Sequence, residues 1–572
     1  MIGTIRQGFA LTGRAFEYLS REVRGMHAAA YMLALSSLVS SLLALFRDRL
    51  LAHTFGAGHE LDLYYAAFRI PDLLFVGIGS LVSAYVLIPV LASRAEEAQR
   101  RYIDAVLVTF SLIAICACGV AALFSPALLS WLFPALSSGP SSGTLLSLTL
   151  VLLIQPVLLG LSNILAAVTQ FRHRYALYAS APILYNLGII IGIVVLYPRM
   201  GLIGLGWGVC LGALLHGLIQ LPPILKEGYV RSISIRFEFK AIVGTALVSV
   251  PRALALSMAQ LAFLGLLVIA GSLAEGSIAI FMLAFNLQAV PLAIIGASYS
   301  VAAFPTLAQL SKSGSAEFVN YVATAARHIF FWSMPALCLA VVLRAHIVRV
   351  VLGSGEFDWT DTRLTAAALA LFVVSLAAQG VSLLLVRAYY AAGKTGVPLF
   401  VSGLTALGTL LLSVLALGAV RDARALLFLE SLLRVDYVPG AEMLALPFSY
   451  ALASIIGAAA LAYVFDKEYK GFLSLVGRAF GESLTAGFLG ALVAYGALVI
   501  LGTVTLTSTL ASILMRGGLS GIAGLVVAAF VYYALGNREY SETVQALARK
   551  IWRGGEPISS GEDTNATHSA VL

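Results

Sequence analysis

Charged side chains are the residues of this chain able to act on another molecule, because they are few and several stand where apolar runs end. Arg47, Asp48 and Arg49 follow directly on an apolar stretch, and Asp62 and Arg69 come soon after. Arg252 sits beside Pro251 at the start of a later apolar run, and Arg387 lies near the end of another. On insertion scales a charge at the centre of a membrane helix costs roughly 2.5–3.5 kcal/mol, so each such position needs a purpose. One purpose is snorkelling and topology marking, in which a long side chain at a helix end reaches back to water. The other is a polar cavity for an anionic head group. Arginine suits that task because its planar fork holds two phosphate oxygens at once. Arg47 beside Asp48 favours the cavity, Arg49 and Arg69 lean towards snorkelling, and Arg252 and Arg387 stay open between the two. Gln260, Asn286 and Gln288, with Asn163 and Asn186, either extend such a cavity or make helix–helix hydrogen bonds. The candidate binding set is therefore Arg47, Asp48, Asp62, Arg69, Arg252, Gln260, Asn286 and Arg387.

Signatures of catalysis are absent. No pair of Asp-rich motifs is present to hold the Mg²⁺ that prenyl or phosphoryl transfer to a lipid requires. Gly393-Lys394-Thr395 resembles the end of a phosphate-binding loop, but Ala388 stands where that loop needs its first glycine. Lys394 is read instead as part of a tight cytoplasmic turn. Cys116, Cys118, Cys210 and Cys338 fall inside apolar runs and read as small packing residues. The eight histidines show no ligand spacing, so no metal site and no cofactor is expected.

The elements that must position these residues follow from composition. Of 572 residues, 60% are hydrophobic and 11% charged, which is more apolar surface than a chain folding in water can hide. The formal net charge of +8 is spread over short segments between apolar runs, a footprint of membrane topology and not of nucleic-acid binding. About fourteen runs are long enough to span a bilayer. They lie near 28–46, 65–92, 104–133, 145–168, 179–197, 202–223, 241–271, 277–308, 327–352, 364–391, 397–419, 446–465, 482–502 and 511–535. Placing both termini in the cytoplasm puts about 23 of the 36 basic residues on that side. Residues 1–27 read as an amphipathic cytoplasmic lead-in on the membrane surface, with no cleaved signal peptide. The tail 538–572 is cytoplasmic and, from about Arg553, disordered. The loop 420–447 faces outward and is expected to carry a short surface helix.

The chain also contains weak internal similarity. Ala67-Phe68 and Ile78-Gly79 recur as Ala284-Phe285 and Ile295-Gly296, while Gly160-Leu161-Ser162 resembles Gly380-Val381-Ser382. The offsets are similar, at about 217–220 residues, and two weak matches at nearly one spacing are better evidence than either alone. A repeat of about six helices enters the membrane the same way round in both copies. That predicts two bundles related by an axis along the membrane normal, with a substrate path between them. The expected divisions are an N-lobe at 28–225, a C-lobe at 226–465, and an added helix pair at 466–537.

At these residues the chain resembles the MviN/MurJ family of lipid II flippases. Phe46-Arg47-Asp48-Arg49-Leu50, Phe55-Gly56-Ala57-Gly58, Asp62 and Ala67-Phe68-Arg69-Ile70-Pro71 are similar to that family's first-helix signature. Arg387-Ala388-Tyr389-Tyr390-Ala391, followed by Lys394-Thr395 and Pro398, is similar to its tenth-helix motif. The resemblance implies an all-α multidrug/oligosaccharidyl-lipid/polysaccharide exporter fold, with two six-helix lobes, a central cavity, and a final helix pair that forms a groove for the lipid tail. It implies alternating access driven by an ion gradient or the membrane potential. Arg47 would bind phosphate, Asp48 would hold it in place, and Arg252 and Arg387 would add positive charge. Ser41, Phe75, Ser80 and Asn286 stand where the family usually carries charged residues.

The function expected is translocation of undecaprenyl-pyrophosphate-linked peptidoglycan precursor, lipid II, across the bacterial cytoplasmic membrane. Its partners would be that lipid-linked glycan and the membrane lipids, with the protein acting as a monomer and not as an enzyme. An exporter of another polyprenyl-linked saccharide and a non-transporting membrane scaffold are the alternatives. A membrane glycosyltransferase fits less well, for want of an acidic catalytic loop.

Overall fold

A computed structural model describes residues 26–79, 82, 84–229, 254, 257–311, 316–502, 504 and 508–552. Most of the lead-in, Arg252 and the tail beyond Trp552 lie outside these residues. The described chain is helical. Its first half comprises α1 (Met26–Phe55), α2 (His59–Ala67), α3 (Arg69–Gly79), α4 (Ala84–Ala92), α5 (Glu96–Leu132), α6 (Ser142–Phe171), α7 (Tyr175–Met200) and α8 (Leu202–Lys226). The second half comprises α9 (Ser257–Ala270), α10 (Ser277–Leu310), α11 (Ala316–Val351), α12 (Trp359–Val374), α13 (Leu376–Ala391), α14 (Gly396–Val420), α15 (Ala423–Leu433) and α16 (Ala441–Tyr469). Three helices follow: α17 (Phe472–Leu501), α18 (Leu510–Ala534) and α19 (Arg538–Trp552).

Among the described residues, ten helices are each long and apolar enough to cross a membrane, and the pair α12 and α13, bent by 43°, makes an eleventh. The expected count of about fourteen is therefore not reached. The runs at 28–46, 65–92 and 241–271 account for the difference. The first lies within α1, the second is divided among α2, α3 and α4, and the third is described mainly from Ser257 onward. Large apolar side chains cover the outside, with Leu123 80%, Phe400 73% and Ile500 86% exposed. That outward apolar face is stable only against lipid, so the chain is a multi-span membrane protein. The expected surface helix in the loop 420–447 is α15, started by Asp422, whose side chain accepts from the backbone N–H of Arg424.

The two halves repeat the same neighbours. In the first, α3 and α4 pack on α6, α5 on α6, α6 on α8, and α7 on α8. In the second, α10 packs on α12 and α13, α11 on both, these two on α16, and α14 on α16. Residues of the sequence repeat make one of these crossings: a Cβ on Gly296 would lie 2.8 Å from Cα of Gly380, where α10 meets α13. The added α17 and α18 pack on each other and on α11.

Small residues set how closely the helices approach, because lipid supplies no hydrophobic drive between them and packing must. On α7 and α8, glycines at spacings of four face one another. A Cβ on Gly188 would lie 2.2 Å from Cα of Gly212, and one on Gly212 would lie 2.4 Å from the carbonyl oxygen of Tyr185. Backbone cannot move aside as a side-chain tip can. Gly212→Leu is therefore expected to destabilise the first half by at least the ~1–3 kcal/mol of core overpacking. Gly408→Leu, whose Cβ meets nothing within 4 Å, serves as the control. Thermal unfolding in detergent checks this: a lowered midpoint for the first variant alone is expected, and equal midpoints would contradict the packing.

Candidate functional site

The site begins at the far end of α1. Arg47 and Asp48 are neighbours on that helix, and their side chains close on each other. Arg47 Nε and Nη2 donate to Asp48 Oδ1 at 2.9 and 2.7 Å, while Nη1 donates to Asn186 Oδ1 on α7 at 3.0 Å. Asn186 is fixed by donating to the Pro182 carbonyl at 3.1 Å. From the second half, Asn286 Nδ2 on α10 donates to Asp48 Oδ2 at 3.1 Å. One carboxylate thus receives the arginine of its own helix and the amide of the opposite half. A guanidinium has five N–H donors, and three serve these contacts, which leaves two for a ligand.

These groups face a cavity of ≈ 140 Å³ between the halves, bounded also by Tyr65, Arg69 and Tyr185. Arg69, buried on α3, donates through Nε to the Tyr65 carbonyl at 2.9 Å and pairs with Asp72 at 3.3 Å. The Tyr65 hydroxyl is buried with no hydrogen-bond partner. An unpaired buried hydroxyl is costly, and Tyr65 is among the residues that bound this cavity. Tyr65 was not singled out in the sequence; the packing of α2 and α3 brings it beside Arg69 at the cavity. Tyr185 lay unmarked inside an apolar run, and only the α1–α7 packing brings it to the cavity.

Four of the sequence candidates, Arg47, Asp48, Arg69 and Asn286, share this cavity. Asp62 is placed elsewhere, as a latch between the halves. Its Oδ2 accepts from the Gly276 N–H and its Oδ1 from the Ala279 N–H, both at 2.7 Å, so the carboxylate caps the start of α10. Those bonds occupy the oxygens it would turn to a ligand, and a carboxylate there complements the unpaired N–H groups of the helix end. Gly276 has a φ of +85°, and a Cβ there would meet the Ala57 carbonyl at 1.9 Å, so only glycine lets the two chain segments of this seam close. Gln260 lines a different cavity inside the second half. Arg387, on α13 in the second half, is not among the residues that bound either cavity. Arg252 lies outside the described residues.

The latch belongs to a wider seam at this end of the bundle. Ala57 N–H donates to Asp361 Oδ2 at 3.0 Å, His59 N–H to Glu275 Oε1 at 3.0 Å, and Glu356 N–H to the His53 carbonyl at 3.0 Å. Arg49 donates to the Val350 and Val351 carbonyls at 2.6 and 3.2 Å, the favourable place for a cation at the end of α11. At the other end the ion pairs stay within each half. Arg172 and Arg174 both hold Glu227 in the first, and Lys394 pairs with Glu468 in the second. The hydrogen bond to Glu468 holds the Lys394 ammonium above its ordinary pKa, in the tight turn expected for it. Among the described residues, hydrogen bonds across the halves gather at the Asp62 end and at Asp48. Among the described residues the halves are clasped at the Asp62 end, while the ion pairs Arg172–Glu227, Arg174–Glu227 and Lys394–Glu468 at the other end each stay within one half.

A sequence model of the family described as "Lipid II flippase MurJ" matches residues 51–516. The chain belongs to that family. A "Lipid II flippase MurJ" of Burkholderia cenocepacia is 26% identical over 375 residues, covering 62% of this chain and 71% of that protein. A "Probable lipid II flippase MurJ" of Bdellovibrio bacteriovorus is 28% identical over 392 residues, covering 65% and 73%. Among solved structures, "Lipid II flippase MurJ, inward closed conformation" superimposes with a TM-score of 0.68 at 22% identity, covering 88% of this chain and 99% of that one. An inward-facing multidrug resistance transporter of the MATE family gives 0.58 at 13% identity, covering 79% and 98%. The fold is thus the transporter fold that the sequence resemblance implied. Asn286, at which the resemblance led one to expect a charged residue, donates its amide to Asp48.

Asp62→Ala is expected to free the Gly276 and Ala279 amides and to loosen the seam by about 1.5–3 kcal/mol for each charge-assisted bond. Hydrogen exchange in detergent checks this, with faster exchange at those two amides expected. Unchanged exchange would show that the latch holds nothing closed.

Proposed function

We propose that this chain translocates lipid II, an undecaprenyl-pyrophosphate-linked peptidoglycan precursor, across the bacterial cytoplasmic membrane by alternating access. The observation that carries the reading is Arg47: a guanidinium in the seam between two pseudo-repeated halves, held by Asp48 and Asn186, with N–H groups left for phosphate oxygens. Arg69 bounds the same cavity and adds a second cation to it. Membership of the family, and the names carried by its relatives, point to the same substrate.

With both termini in the cytoplasm, the clasped end faces outward and the cavity opens inward, where the precursor is made. Phosphate binds the two N–H groups of Arg47 that Asp48 and Asn186 leave free, and parting of the seam at Asp62 then releases it outward. Moving the charge outward is coupled to the membrane potential, worth about 2.3 kcal/mol per elementary charge per 100 mV, or to an ion gradient. The pair α17 and α18 supplies the groove for the polyprenyl tail, which stays in lipid throughout. The protein does this as a single chain and makes or breaks no covalent bond.

The test is replacement. The native flippase is depleted in a bacterium expressing this chain, and lipid II on the outer leaflet is measured. Rescue is expected, and Arg47→Ala is expected to abolish it at equal expression. No rescue by correctly inserted protein, or full rescue by the variant, would overturn the proposal.

A further inference from the structure

The second half contains a larger cavity, ≈ 440 Å³, walled by α9, α10, α13, α14 and α16. That volume lies in the usual range of small-molecule sites, about 300–1,000 Å³. None of the described residues lining it is charged. Its wall is shared with the anion site. Arg69 lies over the ring of Phe263 at 5.8 Å from the centroid, and Phe263 packs against Phe285 at 4.7 Å; both rings line the larger cavity. Phe285 also immediately precedes Asn286, which holds Asp48.

The polar groups of this cavity form an ordered set. The Tyr450 hydroxyl donates to Gln379 Oε1 at 3.3 Å, and Gln379 Nε2 donates to Ser375 Oγ at 2.8 Å. Thr405 and Thr409 spend their hydroxyl protons on the carbonyls of Val401 and Thr405, both at 2.8 Å. Their oxygens keep lone pairs for incoming donors. A hydrocarbon chain has no use for such acceptors, and a charged group would find no counter-charge and be driven out by desolvation. Aromatic faces combined with amide and hydroxyl acceptors suit a neutral ligand rich in hydroxyls and ring C–H groups, which is a sugar.

We infer that this cavity is a saccharide subsite, taking the neutral sugar of a lipid-linked glycan whose phosphates lie at Arg47. The inference rests on the proposed lipid-linked substrate and adds the part of that substrate which the second half recognises. The first half reads charge and the second reads the glycan, so a complete ligand touches both halves across the Phe263–Phe285 wall.

The full chain in lipid nanodiscs is titrated with three probes: undecaprenyl pyrophosphate, the same lipid carrying its disaccharide without peptide, and lipid II. Both glycan lipids are expected to bind more tightly than the bare pyrophosphate. Gln379→Leu and the cavity-filling Ser402→Phe are expected to weaken both glycan lipids by about tenfold and leave undecaprenyl pyrophosphate unchanged. Arg47→Ala is expected to weaken all three. Thermal unfolding verifies that each variant is folded, and Gln379→Leu carries the test if Ser402→Phe is not. Equal binding of bare and glycosylated lipids, a gain that needs the peptide, or variants that weaken all three probes alike would overturn the subsite. Failure of the parent to bind any of the three would instead remove the lipid-linked substrate itself.

Discussion

Hydrocarbon does not solvate charge, and this constraint organises the molecule from α1 outward. A guanidinium carried to the seam between two helical bundles must find its counter-charge and its hydrogen-bond acceptors within the protein. Arg47 finds the first in the adjacent Asp48 and the second in Asn186. Because a carboxylate has more lone pairs than one arginine uses, Asp48 also takes the amide of Asn286 from the other half. The neutralisation of one charge therefore ties α1, α7 and α10 together. The same accounting explains why Arg69 turns to its own carbonyl and to Asp72, and why the apolar exterior carries so few charges.

Closure is built from a different material. At the Asp62 end the halves meet through backbone N–H and C=O groups, helix ends and acidic side chains: Asp62 on Gly276 and Ala279, Asp361 on Ala57, Arg49 on the last carbonyls of α11. The Asp62 bonds are buried, and beneath them the same end is apolar: Leu51, Leu61 and Ala66 of the first half share one core with Ile278, Phe281 and Leu364 of the second. Within each half, by contrast, glycine-to-glycine approaches such as Gly188–Gly212 and Gly296–Gly380 lock helices at backbone distance. The halves are close-packed inside, and at the Asp62 end they are joined by polar contacts over a shared apolar core.

The cavity is bounded by two arginines and one aspartate, and the polar residues around them are neutral. Asn286 ties to Asp48, and Tyr65 stands with Arg69 among the residues that bound the cavity. Neutral donors bind phosphate more weakly than a guanidinium but leave less charge to neutralise once the ligand has gone. A membrane cavity emptied on every cycle gains from that balance.

Much of this was open to reading before any fold was known. Composition alone required a membrane, because no watery interior could bury 60% apolar residues. Matching offsets announced the repeat, and Arg47 beside Asp48 announced the charge pair, since both are local patterns of spacing. The latch role of Asp62 was not legible: an acid after a helix looks the same whether it holds a ligand or caps an element met more than 200 residues later. Gln260 and Arg387 parted from the Arg47 cavity for the same reason, as helix rotation and crossing decide which face meets the seam. Asn186, Tyr185 and the uncharged cavity behind Phe285 needed the packing of α7 on α1 and of α10 on α13 before they became a site. Local sequence determined that this chain spans a membrane, that it doubles, and that one arginine pair is costly enough to matter. Only tertiary structure decided which groups share a cavity and which end is shut, because those depend on contacts between helices whose positions in the chain say nothing of their neighbours.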